Sequence, residues 1–242
     1  MTPVSEFMAG EAVVVLLASY LIGSIPFAYI IVRAVTGEDI TAHGTGNVGA
    51  MNVRRSTGSW AWFAVAMVAD ALKGFLPVLL AKALVGGFAF SSLITPTGVA
   101  GAGGYGDPAA RWVLLVPQAA VLGVVLGHNY SIWMALINKR FARTGKGLAT
   151  GAGALLAYDW RYFVAVVTVG LLVIAVTRYM MAGQVAAAVT LPIVAIALGS
   201  PDWPFALLMG VVVYSAHHKR FMGLLRGEEP RLYVDDRMGP KG

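Results

Sequence analysis

Three polar stretches hold most of the residues in this chain that could do chemistry. HGTGNVGAMNVRR (43–55) contributes Thr45, Asn47, Asn52 and Arg55 among the glycines Gly44, Gly46 and Gly49. RTGKGLATG (143–151) sets Lys146 between Gly145 and Gly147, and a third stretch opens with His217, His218, Lys219 and Arg220. Glycine lets a backbone N–H approach an anion closely, and successive N–H groups form anion-binding nests. Arginine adds a bidentate fork for phosphate and lysine a compact point charge. This set suits phosphate chemistry.

Nucleotide binding of the familiar kinds does not fit. Gly44, Gly46 and Gly49 match GxGxxG, and Asp70 follows at about the ribose-binding distance of a Rossmann fold, but a strand must precede the motif. Asp70 lies instead in WAWFAVAMVADALKGFLPVLL, an apolar run too long for such a strand. A second match, Gly101, Gly103 and Gly106, leads into Asp107-Pro108 and has no better context. RTGKG is no Walker loop, since Gly147 stands where Ser or Thr is needed.

Other chemistries are narrowed in the same way. With no cysteine there is no disulfide and no cysteine acyl-enzyme. None of the four histidines has an aspartate five positions later, so the His-x4-Asp acyltransferase dyad is missing. Carboxylates are scarce in the first two loops, Glu38 and Asp39 being the one pair, so no aspartate array of the CDP-alcohol phosphotransferase kind is present. His217 and His218, adjacent on a helix, cannot point at one metal; neither metal nor cofactor is expected.

The elements that position these loops are membrane helices. Of 242 residues, 58% are hydrophobic and 12% charged, against about 25% charged in soluble domains. Several apolar stretches reach the roughly 20 residues that cross a bilayer. Spans are predicted at 12–34, 60–85 and 111–137, with a final apolar region, 151–216, divided at 178–183 and 199–204. The fold class is an all-α integral membrane bundle of about seven helices, five full crossings plus partial ones. The chain reads as a single domain with a cytoplasmic tail over 217–242. Met1 to Glu11 lacks the basic residues of a signal peptide, and the apolar run that follows is too long for one.

Charge orients the bundle. Thirteen of the 18 basic residues fall in or beside 35–59, 138–150 and the tail, and none in 86–110. The positive-inside rule puts those three segments in the cytoplasm and the N-terminus outside, at the plasma membrane. An even number of crossings must then separate 138–150 from the tail. Hydropathy offers three pieces there, near 160–177, 182–199 and 203–216, so one is expected to be a half-helix or re-entrant.

Topology alone would also produce basic loops. Arg54, Arg140, Arg143 and the cations beyond Arg226 fit that plain reading, whereas Thr45, Asn47 and Asn52 do not, because sidedness requires no Asn or Thr. Asp70 and Lys73, i,i+3 inside a span, are either a functional pair or a structural one. His128 reads as structural.

Taken together, the motifs resemble those of the bacterial acyl-phosphate:glycerol-3-phosphate acyltransferases, the PlsY family. GSIPFAYIIVRAVTGEDITAHGTGNVGAMNVRR looks like the first motif with its preceding helix, GHNYSIWMALINKRFARTGKGLATG like the second and HHKRFMGLLRGEE like the third. DALKGFLPVLLA is similar to the family's second helix. The resemblance implies acyl transfer from acyl phosphate to the 1-hydroxyl of glycerol 3-phosphate, yielding lysophosphatidic acid and phosphate. It also implies membrane lipids as surroundings, a monomer, no cofactor and no nucleic acid. By position, Arg55 and Lys146 would bind the phosphates, and Gly145 and Gly147 would line the glycerol-3-phosphate site. Thr45 takes the place of a serine and His217 matches the third-motif histidine; these two join Arg55 and Lys146 as the catalytic candidates. Gly44, Gly46, Asn47, Asn52, Gly145, Gly147 and Arg220 are the substrate-binding candidates. The resemblance also implies that the substrate's own phosphate, not a protein base, takes the hydroxyl proton.

Three departures stand out. Thr45 adds a methyl to a tight glycine turn, and the second motif carries Thr144 and extra residues before GKG. Arg220 puts a cation where the third motif has asparagine. A diverged anion- or lipid-binding member is therefore a competing reading. A small transporter is another, although no internal repeat of the transporter kind appears.

Overall fold

The computed structural model describes residues 3–44, 46–86 and 108–229. Thr45, the connection 87–107 and the tail beyond 229 lie outside them. Among the described residues there are ten α-helices and no strand. They are α1 (Pro3–Gly23), α2 (Phe27–Thr36), α3 (Ala50–Thr57), α4 (Trp60–Gly86) and α5 (Pro108–Asn129). The others are α6 (Ile132–Asn138), α7 (Leu148–Tyr158), α8 (Trp160–Thr177), α9 (Met180–Ala197) and α10 (Trp203–Leu225).

Five segments are long and apolar enough to cross a membrane: Ala9–Thr36, Trp60–Gly86, Leu114–Asn138, Trp160–Thr177 and Met180–Ala197. Two of them are broken, which raises the helix number above seven. Pro26 ends α1 because it cannot donate to a helix ladder, and Ser131 starts α6 by capping the Met134 N–H at 3.2 Å. The two breaks lie together. Ser131 Oγ donates to the Ser24 carbonyl at 2.5 Å and Lys73 Nζ to the Ile25 carbonyl at 2.7 Å. Unwound carbonyls inside a membrane protein need such partners.

This answers the question of Asp70 and Lys73. Their carboxylate and ammonium pair at 2.7 Å, both almost wholly buried. Lys73 spends another proton on the α1–α2 break. The pair is part of the helix packing.

α4 displays the usual two faces of a lipid-bathed helix. Leu72, Leu76, Leu80 and Leu84 form an exposed stripe one turn apart, suited to hydrocarbon. Gly74, Pro77, Val78 and Ala81 face inward. Close packing uses small residues, as membrane helices do. A side chain at Gly127 would overlap the Tyr20 carbonyl of α1, and one at Gly153 the Ala71 carbonyl of α4.

The parity question resolves through α7. Eleven residues long and apolar, it packs on α4 and α5 and adds a short fourth rod to α8, α9 and α10. Lys82 Nζ holds its far end, donating to the Ala157 and Tyr158 carbonyls at 2.8 and 3.3 Å. Beyond it, Asp202 accepts from the Tyr158 and Tyr162 hydroxyls, both at 2.7 Å. α8, α9 and α10 are unbroken helices of 18, 18 and 23 residues, so the partial helix is α7 and not one of those three pieces. α10 also runs unbroken to Leu225, so His217 and Arg220 sit on a helix and not in a tail.

Candidate functional site

The first loop is built over its own small core of Ala28, Val32, Ile40, Val48, Val53, Ala66 and Met134. Gly44 and Gly46 have φ of +55° and +67°, a region that favours glycine. Asn52 folds the turn over this core: its Nδ2 donates to the Ile40 and His43 carbonyls, each at 3.0 Å. Its Oδ1 is buried, has no hydrogen-bond partner among the described residues and lies against Gly44. A predicted substrate-binding residue thus has both donors committed to backbone. Asn47 is half-buried beside Gly49, the residue before α3.

The second loop docks on the first and on α5. Val48 N–H donates to the Thr144 carbonyl at 2.8 Å, and Thr144 N–H to the Asn129 carbonyl at 2.8 Å. Thr144 Oγ1 adds a bond to the His128 carbonyl at 3.1 Å. Gly145 lies flat on the His128 ring, where any side chain would overlap the imidazole. His128 is held from behind by Thr150 Oγ1 at 3.1 Å, with Asp70 at 3.7 Å. Gly147, φ +73°, opens α7 without a side-chain cap. The first N–H groups of a helix have no partner within it, and together they attract anions. Lys146 stands at this end.

The third element closes the site through Arg143. Its Nε donates to the Gly145 carbonyl at 3.1 Å, and an Nη reaches the Ala216 carbonyl of α10. This arginine fitted the topological reading by sequence; in the structure it ties the glycine loop to the helix that carries His217. Arg54 and Arg140 behave as that reading expects. Arg54 stacks on Trp60 at 5.0 Å and Arg140 is exposed. His217 is 2% exposed. Its Nδ1 lies 2.7 Å from the Val213 carbonyl, an acceptor, so that nitrogen carries the proton. Nε2 is left buried with a bare lone pair and no partner among the described residues.

Electrostatics confirms the convergence. Burial pushes the Lys146 ammonium down to about 8, helped by Arg220, Arg143 and Arg55 and opposed by Glu229. Arg55, though solvent-facing, is also held below its ordinary value, by partial desolvation and then by Arg220. Residues 55, 143, 146 and 220, far apart in sequence, therefore share one field. Of the predicted site residues, Thr45 lies outside the described residues; the others gather here. Sequence reasoning passed over Arg143 and Glu229. The signals were present: an arginine two before Gly145, and a glutamate just past Gly227, the turn glycine after the third motif.

The molecule is an all-helical bundle with membrane-spanning segments, and a cation-rich, glycine-lined site lies where two loops meet α10, an arrangement whose chemistry suits anionic groups. Residues 13–227 match the model of the family Glycerol-3-phosphate acyltransferase, and the chain belongs to that family. A glycerol-3-phosphate acyltransferase of Synechococcus sp. (strain JA-3-3Ab) is 37% identical over 92% of this chain and 94% of its own. One from Thermus thermophilus is 36% identical over 91% and 95%. The crystal structure of PlsY (YgiH), an integral membrane glycerol 3-phosphate acyltransferase, in its glycerol 3-phosphate form, is similar with TM-score 0.71. It is 26% identical and is matched over 92% of this chain and 96% of that one. Its lysophosphatidic acid form has TM-score 0.69 and 24% identity, a likeness of fold.

Proposed function

We propose that this protein transfers an acyl group from acyl phosphate to the 1-hydroxyl of glycerol 3-phosphate at the cytoplasmic face of the plasma membrane. The hydroxyl oxygen attacks the acyl carbonyl carbon and forms the ester bond. The bond between that carbon and the phosphate oxygen breaks, and inorganic phosphate leaves with the hydroxyl proton. The other product is lysophosphatidic acid.

The observation that carries this reading is that Arg55, Arg143 and Arg220 all act on Lys146, which stands at the open N-terminus of α7. Two substrates meet there, each with a phosphate, and the departing phosphate gains negative charge as its bond breaks. Fixed cations and backbone N–H groups aimed at developing charge are the largest single aid in such reactions. Lys146, with Gly145, Gly147 and the first α7 amides, holds one phosphate, and Arg55 reaches the other. Gly44, Gly46 and Asn47 line the approach, and Asn52 holds the turn. Thr45 contributes its hydroxyl. His217 accepts a hydrogen bond from the 2-hydroxyl of glycerol 3-phosphate at its Nε2 and so orients the attacking 1-hydroxyl. The proton of that 1-hydroxyl passes to phosphate, the group that leaves as its acceptor.

Purified protein given acyl phosphate and radiolabelled glycerol 3-phosphate should make radiolabelled lysophosphatidic acid. Equal or faster turnover with acyl-CoA or acyl carrier protein would refute the donor. Lys146→Ala and Arg55→Ala should each cut activity about a hundredfold or more.

A further inference from the structure

Arg220 stands where the third motif carries a neutral amide, and what it touches is Glu229. After α10 ends at Leu225, Gly227 takes φ +73° and turns the chain back. The Glu228 N–H bonds the Gly223 carbonyl at 2.9 Å and the Gly227 N–H the Leu224 carbonyl at 3.1 Å. This turn delivers Glu229 to Arg220, nine residues upstream. Arg220 Nε donates to Glu229 Oε2 at 3.2 Å and its Nη2 donates to Oε1. Both carboxylate oxygens are taken by one guanidinium fork, the strongest arrangement for such a pair. The Glu229 side chain is only 7% exposed, while that of Arg220 is 44% exposed.

We propose that Arg220 and Glu229 act as a charge-cancelling pair that sets the net charge of the anion site, Arg220 covering the carboxylate instead of gripping the substrate phosphate. The inference rests on the acyl-transfer reading of the same site. Glu229 acts on Lys146 with the sign opposite to the three arginines, so its carboxylate is felt where a phosphate would bind. Uncovered, that carboxylate would repel the phosphate and hold Lys146 for itself. Covered, it leaves Arg55, Arg143 and Lys146 to face two anionic substrates. Arg220 is therefore a positioning and specificity residue that works through Glu229, and its departure from asparagine is compatible with the family reaction.

The test uses four purified full-length proteins: wild type, Arg220→Asn, Glu229→Gln and the double variant. For each, KM and kcat for glycerol 3-phosphate are measured, and binding of inorganic phosphate is followed by calorimetry. Arg220→Asn should raise KM about tenfold with kcat nearly unchanged, as a like charge placed against a ligand does. Glu229→Gln should lower KM and tighten phosphate binding. The double variant should return KM to near the wild-type value. A double variant as impaired as Arg220→Asn overturns the proposal, since Arg220 would then hold phosphate itself, and so does an unchanged KM in Arg220→Asn. Should Arg220→Asn not fold, Glu229→Gln decides alone: phosphate binding that is unchanged or weaker overturns the pair. A wild type that makes no lysophosphatidic acid counts against the acyl-transfer reading only, and the phosphate titrations still decide the pair.

Discussion

Lys146 carries the plainest prediction among single residues. Its ammonium is pushed down to about 8 by burial and neighbouring cations, so in the free protein it is charged below that pH and neutral above it. Phosphate binding should fade as pH rises through about 8, and kcat/KM, which reports the free enzyme, should fall there. The rising limb should come from the substrate, whose phosphate becomes dianionic above about 6. Lys146→Arg should retain phosphate binding at pH 9, because a guanidinium does not titrate there; an unmoved falling limb would mean another group sets it. Arg143 is a second case. Its bonds to Gly145 and Ala216 lead us to expect that Arg143→Ala lowers kcat/KM roughly ten- to a hundredfold, the worth of charge-assisted hydrogen bonds. Arg140→Ala, exposed and unattached, should change it little. Equal effects of the two would return Arg143 to a purely topological role.

Between residue and molecule, the coupled breaks in two long spans matter most. Lys73 and Ser131 satisfy the carbonyls of the α1–α2 break, and Asp70 balances Lys73. Removing one partner of a buried pair leaves an uncompensated charge, so Lys73→Met should destabilise by about 3–5 kcal/mol. Asp70→Asn combined with Lys73→Met should recover part of that, since it removes the uncompensated charge and the Ile25 carbonyl keeps its bond from the Phe27 N–H at 3.1 Å. Thermal unfolding in detergent measures both, and equal melting of the single and double variants would separate Asp70 from Lys73. The same elements support the site, because α5 carries His128 and Asn129 directly under the glycine loop. Gly145→Ala should therefore lower kcat/KM with less effect on melting: its methyl would meet the imidazole and push the loop, not a core helix, out of place.

For the whole molecule, sidedness is the testable property. The three basic segments touch one another through Val48–Thr144 and Arg143–Ala216, so they share a face whichever way the bundle is inserted. Positive-inside bias predicts that this face lies in the cytoplasm. The chain has no cysteine, and single cysteines can be placed at exposed Arg140 and Leu198. They should react with an impermeant thiol reagent from opposite sides, Leu198 from outside. Reaction of Arg140→Cys from outside would invert the orientation.

Hydropathy and charge were sufficient for the all-helical membrane class, the long apolar spans and the grouping of the basic loops. These depend on transfer of residues from water and on sidedness, which are properties of each segment alone. Motif spacing was enough to gather Arg55, Lys146 and His217 as one candidate set. Composition could not separate Arg143 from Arg140, because both are arginines in one basic loop and what distinguishes them is the Gly145 and Ala216 carbonyls that Arg143 reaches. It could not find α7 as a fourth rod either: eleven residues are too few for a hydropathy window, and Lys82 and Asp202, remote in sequence, secure its far end. Nor could it tell that Arg220 meets Glu229, since that contact depends on Gly227 turning the chain back. What a segment is made of determines where it partitions; which carbonyl or carboxylate a cation finds is a long-range contact, and tertiary packing alone decides it.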